Sequence, residues 1–286
     1  MRTPSRNRRR RPDVVFWLGM TWLTLILGAA LLAPLLPLGN HDDSVAGLTQ
    51  PVFAAPGGLG AAHPLGTNNY GLDVLARAVY GARTSVVIAL LAVLIGTAVG
   101  GLVGLVSGFV RGTTDRVVGI LANALLAVPP LILLIALGTV LDPSVRSIAF
   151  ALSLLTIPSM VRLARANTIT VAQREYVLAA RALGAGRVRL MLREVLPNVV
   201  LPVLSLSVVM ISVLVVAEAS LSFLGIGIEQ PQPTWGNMIA EGQGGVMQEH
   251  PYIVVVPGIC LFLTVFSFNL LGEKAQKRWD PRSAKL

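Results

Sequence analysis

The chain has 286 residues, 54% of them hydrophobic and 13% charged, with a formal net charge of +9. A water-soluble domain of this size has no interior large enough for so much apolar surface, so the composition points to a lipid bilayer as the solvent. The charge needs no nucleic acid to explain it, because its placement along the chain follows membrane topology.

A helix that crosses a bilayer needs ~20 mostly apolar residues. Stretches 14–36, 85–110, 117–140, 147–161, 199–224 and 253–271 qualify in chain order. Pro129-Pro130 interrupts the third, Pro158 lies in the short fourth, and Pro202 sits early in the fifth. Each proline removes a backbone donor and bends a helix.

Cytoplasmic segments collect Lys and Arg. Arg2, Arg6 and Arg8 to Arg11 precede the first span, and Arg111 and Arg116 follow the second. Arg162, Arg165, Arg174, Arg181, Arg187, Arg189 and Arg193 follow the fourth, and Lys274, Lys277, Arg278, Arg282 and Lys285 follow the sixth. The opposite side keeps Arg77, Arg83 and Arg146, beside Asp42, Asp43, Asp73, Asp142, Glu229, Glu241 and Glu249. This sorting predicts an all-α, multi-pass membrane protein with six transmembrane helices and both termini cytoplasmic. The expected divisions are a basic tail with the first helix (1–38), an extracytoplasmic segment (39–83), a five-helix core (84–272) containing a cytoplasmic loop (162–198), and a basic tail (273–286). The N-terminal arginines imitate the start of a signal peptide. The apolar run behind them is nevertheless long enough to span and lacks a small-x-small cleavage site, so it reads as a retained helix.

The outer segment ends in an ordered-looking stretch. Asn69, Tyr70 and Gly71 form a turn signal, and Leu72, Leu75 and Val79 follow at helical spacing, which predicts an interfacial helix leading into the second span. Within that span Gly96, Gly100, Gly104 and Gly108 recur every four residues. They lay a groove along one helix face, suited either to tight packing inside the subunit or to a seam between subunits.

Residues 175–198 form an arginine-rich amphipathic island. Tyr176, Ala179, Ala180 and Leu183 make one apolar stripe, and Val188, Met191, Leu192 and Val195 a second. Gly184-Ala185-Gly186 between them permits a tight turn, and Pro197 stands near the start of the fifth span. The island is either an interfacial hairpin on anionic lipid or the docking site of a soluble partner.

Glu218, with Ser222 one turn on, is a carboxylate at membrane depth and hence a candidate for the substrate path or a gate. Its milder reading is a hydrogen bond to Ser220, Ser222 or backbone. Asn269 is a second path candidate, or glue between helices, and Trp235 an interfacial anchor or an outer contact. His41, His63 and His250 are too scattered for a metal site, and Cys260 is the only cysteine. No G-x-x-x-x-G-K-[ST] phosphate loop occurs, so no ATP site is expected on this chain. Nor does any span carry a Ser–His pair, an Asp pair or H-E-x-x-H, so no intramembrane enzyme is expected.

The island resembles the coupling loop of bacterial ABC importer permeases, with Ala179, Ala180, Gly184, Leu196 and Pro197 at the signature positions. Leu178 replaces the signature Glu, and Glu194 a usual Ile. Residues 63–83, 217–227, 230–238, 268–272 and 279–282 look like the second permease subunit of dipeptide, oligopeptide, nickel and opine importers. Asn68 stands where that family usually has Asp, and Leu72 where it has Arg. The resemblance implies a type I ABC importer permease architecture and a non-catalytic, multi-pass subunit of the bacterial cytoplasmic membrane. Its implied partners are a second homologous permease, two ATPase subunits that bind ATP and Mg, and an extracytoplasmic binding protein that delivers peptide. Tyr176, Arg181 and Leu183 would join the signature residues in ATPase coupling. An ion-coupled secondary transporter is the remaining alternative, although no convincing paired repeat supports it.

Overall fold

The computed structural model describes residues 13–58 and 61–279. The arginines from Arg2 to Arg11, the Asp280-Pro281-Arg282 stretch and Lys285 lie outside the described residues. Those described form helices and connections, with one isolated bridge between Thr67 and Asp73.

Helix α1 (Val14–Leu32) ends in a single tight turn at Ala33–Leu35, and α2 (Ser44–Gly47) is a short outer turn capped by the Asp43 carboxylate. Helix α3 (Val74–Val110) begins where Asp73 accepts the Ala76 N–H at 2.7 Å. Its 37 residues run about 55 Å at 1.5 Å per residue, well beyond a ~30 Å hydrocarbon core. The expected interfacial helix is therefore no separate element. It is the outer part of the same rod, and Leu72 precedes it.

Helices α4 (Thr113–Ala127) and α5 (Pro130–Gly138) occupy the place of the third span and meet at 85°. A proline pushes the residue before it into extended conformation. Val128 obeys (φ −78°, ψ 126°), and the helix breaks rather than kinks. Helix α6 (Val145–Val171) runs through Pro158 and past the apolar stretch, since hydropathy marks lipid depth and not the end of a helix. Helix α7 (Glu175–Ala182) follows. Helix α8 (Arg187–Arg189) continues through a π-helical turn (Leu190–Val195) into α9 (Leu196–Phe223), so that 187–223 is one rod. Helices α10 (Trp235–Ala240) and α11 (Val246–Glu249) are short, and α12 (Tyr252–Trp279) closes the bundle.

Helix pairing settles the span count. A Cβ placed on Gly96 would meet Ser153 and Thr156, and one on Gly108 would meet Arg165 and Thr168. Helices α3 and α6 thus run parallel, and the chain between them has to return to the starting side. Only α4 and α5 are available for that crossing. They begin beside Arg165, which Asp115 pairs, and end beside Ile226, against Gly138. Five continuous spans and one broken span give the expected six. Helix α1 lies antiparallel to α12. The Trp22 indole donates to Thr264 at 3.0 Å, and Lys274 reaches Asp13 at 3.3 Å while lying 3.4 Å over the Phe16 ring. The start of α1 and the end of α12 therefore share one side.

The glycine ladder of α3 faces α6 of the same subunit. Added Cβ atoms at Gly100 and Gly104 would meet the Ile157 and Val161 carbonyls and the Met160 and Ala164 Cβ atoms. Around this seam the core gathers small residues such as Ala89, Ala92 and Ala151 with Ile88, Leu152, Leu214 and Trp235.

Candidate functional site

Two polar regions lie at opposite ends of the bundle. The inner one is the basic loop. Helix α7 ends in a Schellman turn: Ala185 N–H donates to the Ala180 carbonyl at 3.1 Å and Gly184 N–H to Arg181 at 3.0 Å. Gly184 takes φ +85°, the left-handed conformation this turn requires, with open space around its Cα. Gly186 has φ −65° and has no such need.

The loop is attached through few side chains. Val177, Leu190 and Val195 are buried with Ala172, Leu105, Met160 and Val199. Most of the first stripe points away from this cluster, and only Ala180 packs against its edge. Tyr176 is 44% exposed and Leu183 90%, Ala179 and Arg181 are exposed, and Ala180 is half-buried. The second stripe is only partly as expected. Val188 and Leu192 are exposed, whereas Leu190, five residues before Val195, is buried with it. Across a π-helical turn the repeat widens from four residues to five, so a 3.6-residue reading loses the buried face there. Pro197, the second residue of α9, has no N–H to offer Arg193, while the Asn198 side-chain amide donates to the Glu194 carbonyl at 2.8 Å. Leu196 is half-buried and Pro197 exposed at the head of α9. Asp115 takes both Nε and Nη2 of Arg165, tying α4 to α6 beside the loop.

At the outer end, Glu218 is fully buried. Ser222 donates to its Oε1 at 2.7 Å, and Oε2 has no hydrogen-bond partner among the described residues. The milder sequence reading describes this contact. Glu218 and Ser222 sit beneath α10, where Gly236 packs directly on Ala219 and Ser222. Trp235 is not an interfacial anchor. It is completely buried, its indole donating to the Ala78 carbonyl at 3.0 Å and its backbone N–H to Ser85 at 3.3 Å. Thr234 and Asn237 form a capping box that starts α10 at this depth. Asn269 is exposed on α12 and donates to Val265 one turn back, so it does not join Glu218 and Ser222.

Sequence reading missed the centre of the outer cap. The Arg77 and Glu241 side chains are only 1% and 3% exposed and pair at 2.5 Å. Arg77 also donates to the carbonyls of His41 (3.1 Å) and Pro231 (3.2 Å). Asn68 donates to the second Glu241 oxygen at 3.0 Å, and its own oxygen accepts the N–H groups of Tyr70 and Leu72. Burial pushes the Glu241 carboxyl up, against the pull of Arg77 and Asn68. The two ion-pair partners are separated by 164 residues, with no periodicity to link them. The Asn68 amide can donate to Glu241, where a carboxylate at the same place would repel it.

A bundle of six spans with a basic helical loop exposed at its inner end defines a polytopic membrane protein. The family of binding-protein-dependent transport system inner membrane components matches residues 100–284, and the chain belongs to it. It is a permease subunit of an ABC import system. The dipeptide transport system permease protein DppC of Haemophilus influenzae is 34% identical over 98% of each chain. The di/tripeptide transport system permease protein DppC of Pseudomonas aeruginosa is 34% identical over 92% of this chain and 87% of its own length. The glutathione transport system permease protein GsiD of Pectobacterium atrosepticum is 32% identical over 79% of this chain and 74% of its own.

Proposed function

We propose that this subunit imports di- or oligopeptides, forming the path with a second homologous permease and driven by two ATPase subunits that bind ATP and Mg. An extracytoplasmic binding protein supplies the peptide. The names of the relatives support the cargo. The observation that carries the coupling role is the exposed face of α7, where Tyr176, Ala179 and Leu183 point away from a helix held mainly by Val177.

The two alanines let an ATPase groove approach the helix closely, and Arg181, with Arg174 and Arg187, meets acidic groups around that groove. Leu178 has no charge to contribute, so contact rests on the alanines, Gly184 and the arginines. Movement of α7 passes through Val177, Leu190 and Val195 to the inner end of α9. The far end of that rod carries Glu218 and Ser222 under the outer cap, so one displacement reaches both ends of the path. Nucleotide state then biases two global conformations through a docked helix. The glycine ladder keeps α3 and α6 moving as a unit, and exposed Asn269 lies where a seam with the second permease would run.

The test is ATP-driven uptake of labelled dipeptide in vesicles holding the whole complex. Ala179→Glu, on the exposed face, abolishes uptake and releases the ATPase subunits while the permease stays inserted. Unchanged uptake in that variant refutes the coupling role. Uptake that collapses with an ionophore yet ignores ATPase inactivation would instead mark an ion-coupled transporter.

A further inference from the structure

Near the outer ends of α3 and α6 lies a recess of about 580 Å³, with His41, Asp42, Tyr80, Arg83, Glu229 and Gln232 in its wall. The volume falls within the ~300–1,000 Å³ of small-molecule sites.

The wall is fixed from behind. Arg77 holds the His41 and Pro231 carbonyls, at 3.1 and 3.2 Å, and is itself held by Glu241. The His41 ring stacks on Tyr80 with centroids 3.6 Å apart and planes 8° from parallel. Two separate chain segments are thereby locked before any ligand arrives, which lowers the ordering cost of binding.

The charges facing the recess are not consumed in the same way. Arg83, Asp42 and Glu229 are exposed. Among the described residues neither Arg83 nor Glu229 has an ion-pair or hydrogen-bond partner, while Asp42 has only His41, at 3.4 Å. Burial holds His41 below its ordinary pKa, with Asp42 opposing and Arg77 adding to the shift, so its ring does not neutralise Asp42 at pH 7. One cavity therefore presents a guanidinium and carboxylates that leave each other free.

We propose that this recess is an outer acceptor site for a zwitterionic peptide. The Arg83 guanidinium takes the terminal carboxylate in a two-point contact, and Glu229, with Asp42, takes the terminal ammonium. Tyr80 and the neighbouring prolines supply apolar walls for side chains of varied size, and Gln232 offers an amide to the peptide backbone. The site rests on the peptide-import reading above and places the first contact of released cargo on this subunit.

The experiment uses the complete transporter in proteoliposomes, with saturating binding protein loaded either with a labelled dipeptide or with the same dipeptide as its C-terminal amide. Uptake and binding-protein-stimulated ATP hydrolysis are read together. In Arg83→Gln, dipeptide uptake falls roughly tenfold, on the order of one charge-assisted contact, while stimulated hydrolysis is retained. The parent's preference for the free acid over the amide disappears, and Arg83→Lys restores part of it. Parental uptake in Arg83→Gln overturns the site. A parallel fall of uptake and stimulated hydrolysis also overturns it, by making the recess a docking contact for the binding protein. A parent complex that imports no peptide refutes the cargo reading itself, and is thereby distinguished from failure of the recess alone.

Discussion

Adjacent glycines on α3 allow the packing of the permease core to be tested with the intrinsic helix preference cancelled. Replacing Gly100 with Ala puts a Cβ 2.6 Å from the Ile157 carbonyl oxygen and 2.7 Å from Met160 Cβ. Ordinary carbon contacts lie near ~3.5–4.0 Å, so α6 has to retreat by about 1 Å. One-methyl overpacking of a tight core costs about 1–3 kcal/mol. Replacing Gly101 with Ala brings its Cβ no nearer than 3.8 Å, to Val203. Both substitutions gain the same ~1 kcal/mol of helix propensity, so that gain drops out of the comparison. The expected result is that Gly100→Ala is less stable than Gly101→Ala by about 1–3 kcal/mol. The assay is the unfolding midpoint of each purified subunit in mild detergent, alone and in the assembled complex. The gap has to appear in the isolated subunit, because the ladder faces α6 of the same chain. Equal midpoints in the isolated subunit, with a gap only in the complex, would refute the intrasubunit assignment and favour a seam between subunits.

Three further outcomes follow from the two polar regions. Gly184→Ala forces a side chain into φ +85° and costs about 1–2 kcal/mol in the Schellman turn, whereas Gly186→Ala, at φ −65°, is tolerated; hydrogen exchange across 175–190 separates them. Arg77→Met leaves Glu241 buried without its cation and destabilises the outer cap by about 3–5 kcal/mol, and adding Glu241→Met recovers most of that loss in the unfolding midpoint. Asn68→Asp sets a second carboxylate against Glu241, so the pair shares a proton and its folded pKa rises above the unfolded value. Stability of that variant is then highest at low pH and falls as pH climbs through the raised range. Its deficit, about 1–3 kcal/mol near neutral pH, therefore shrinks on acidification.

The inner loop was more legible than the outer cap, for a physical reason. Tyr176, Ala179 and Ala180 lie within one short helix and Leu183 caps it, so a 3.6-residue repeat makes the face visible, and Gly184 announces its end. The same reading misassigned Val188 and Leu192 because a π-helical turn intervenes before Pro197. Pro129-Pro130 signalled a disturbance in the third span, but not that it breaks by 85°. At the outer end, Arg77 and Glu241 read only as charges on the outer side, and Asn68 only as a departure from the Asp of the resembled family. Nothing in their spacing linked them, since their contacts are made by helices that meet only in the folded bundle. Trp235 was misplaced for the same reason: an amphipathic ring beside a span looks like an anchor until α10 is seen to sink between α3, α9 and α12.

What the sequence determined by itself was solvent, sidedness and the number of crossings. Those follow from the transfer of apolar segments into lipid and from the bias of Lys and Arg toward the cytoplasm, and both act on segments one at a time. Which face meets which was decided only by tertiary structure. The four glycines permit close approach, but only the parallel course of α3 and α6 turns that permission into a seam inside the subunit. Glu218 is a carboxylate at membrane depth in the sequence, and Arg77 a charge of the outer segment. Folding gives the first a serine hydroxyl and the second a carboxylate and two carbonyls, because a buried polar group persists only where distant parts of the chain converge to satisfy it.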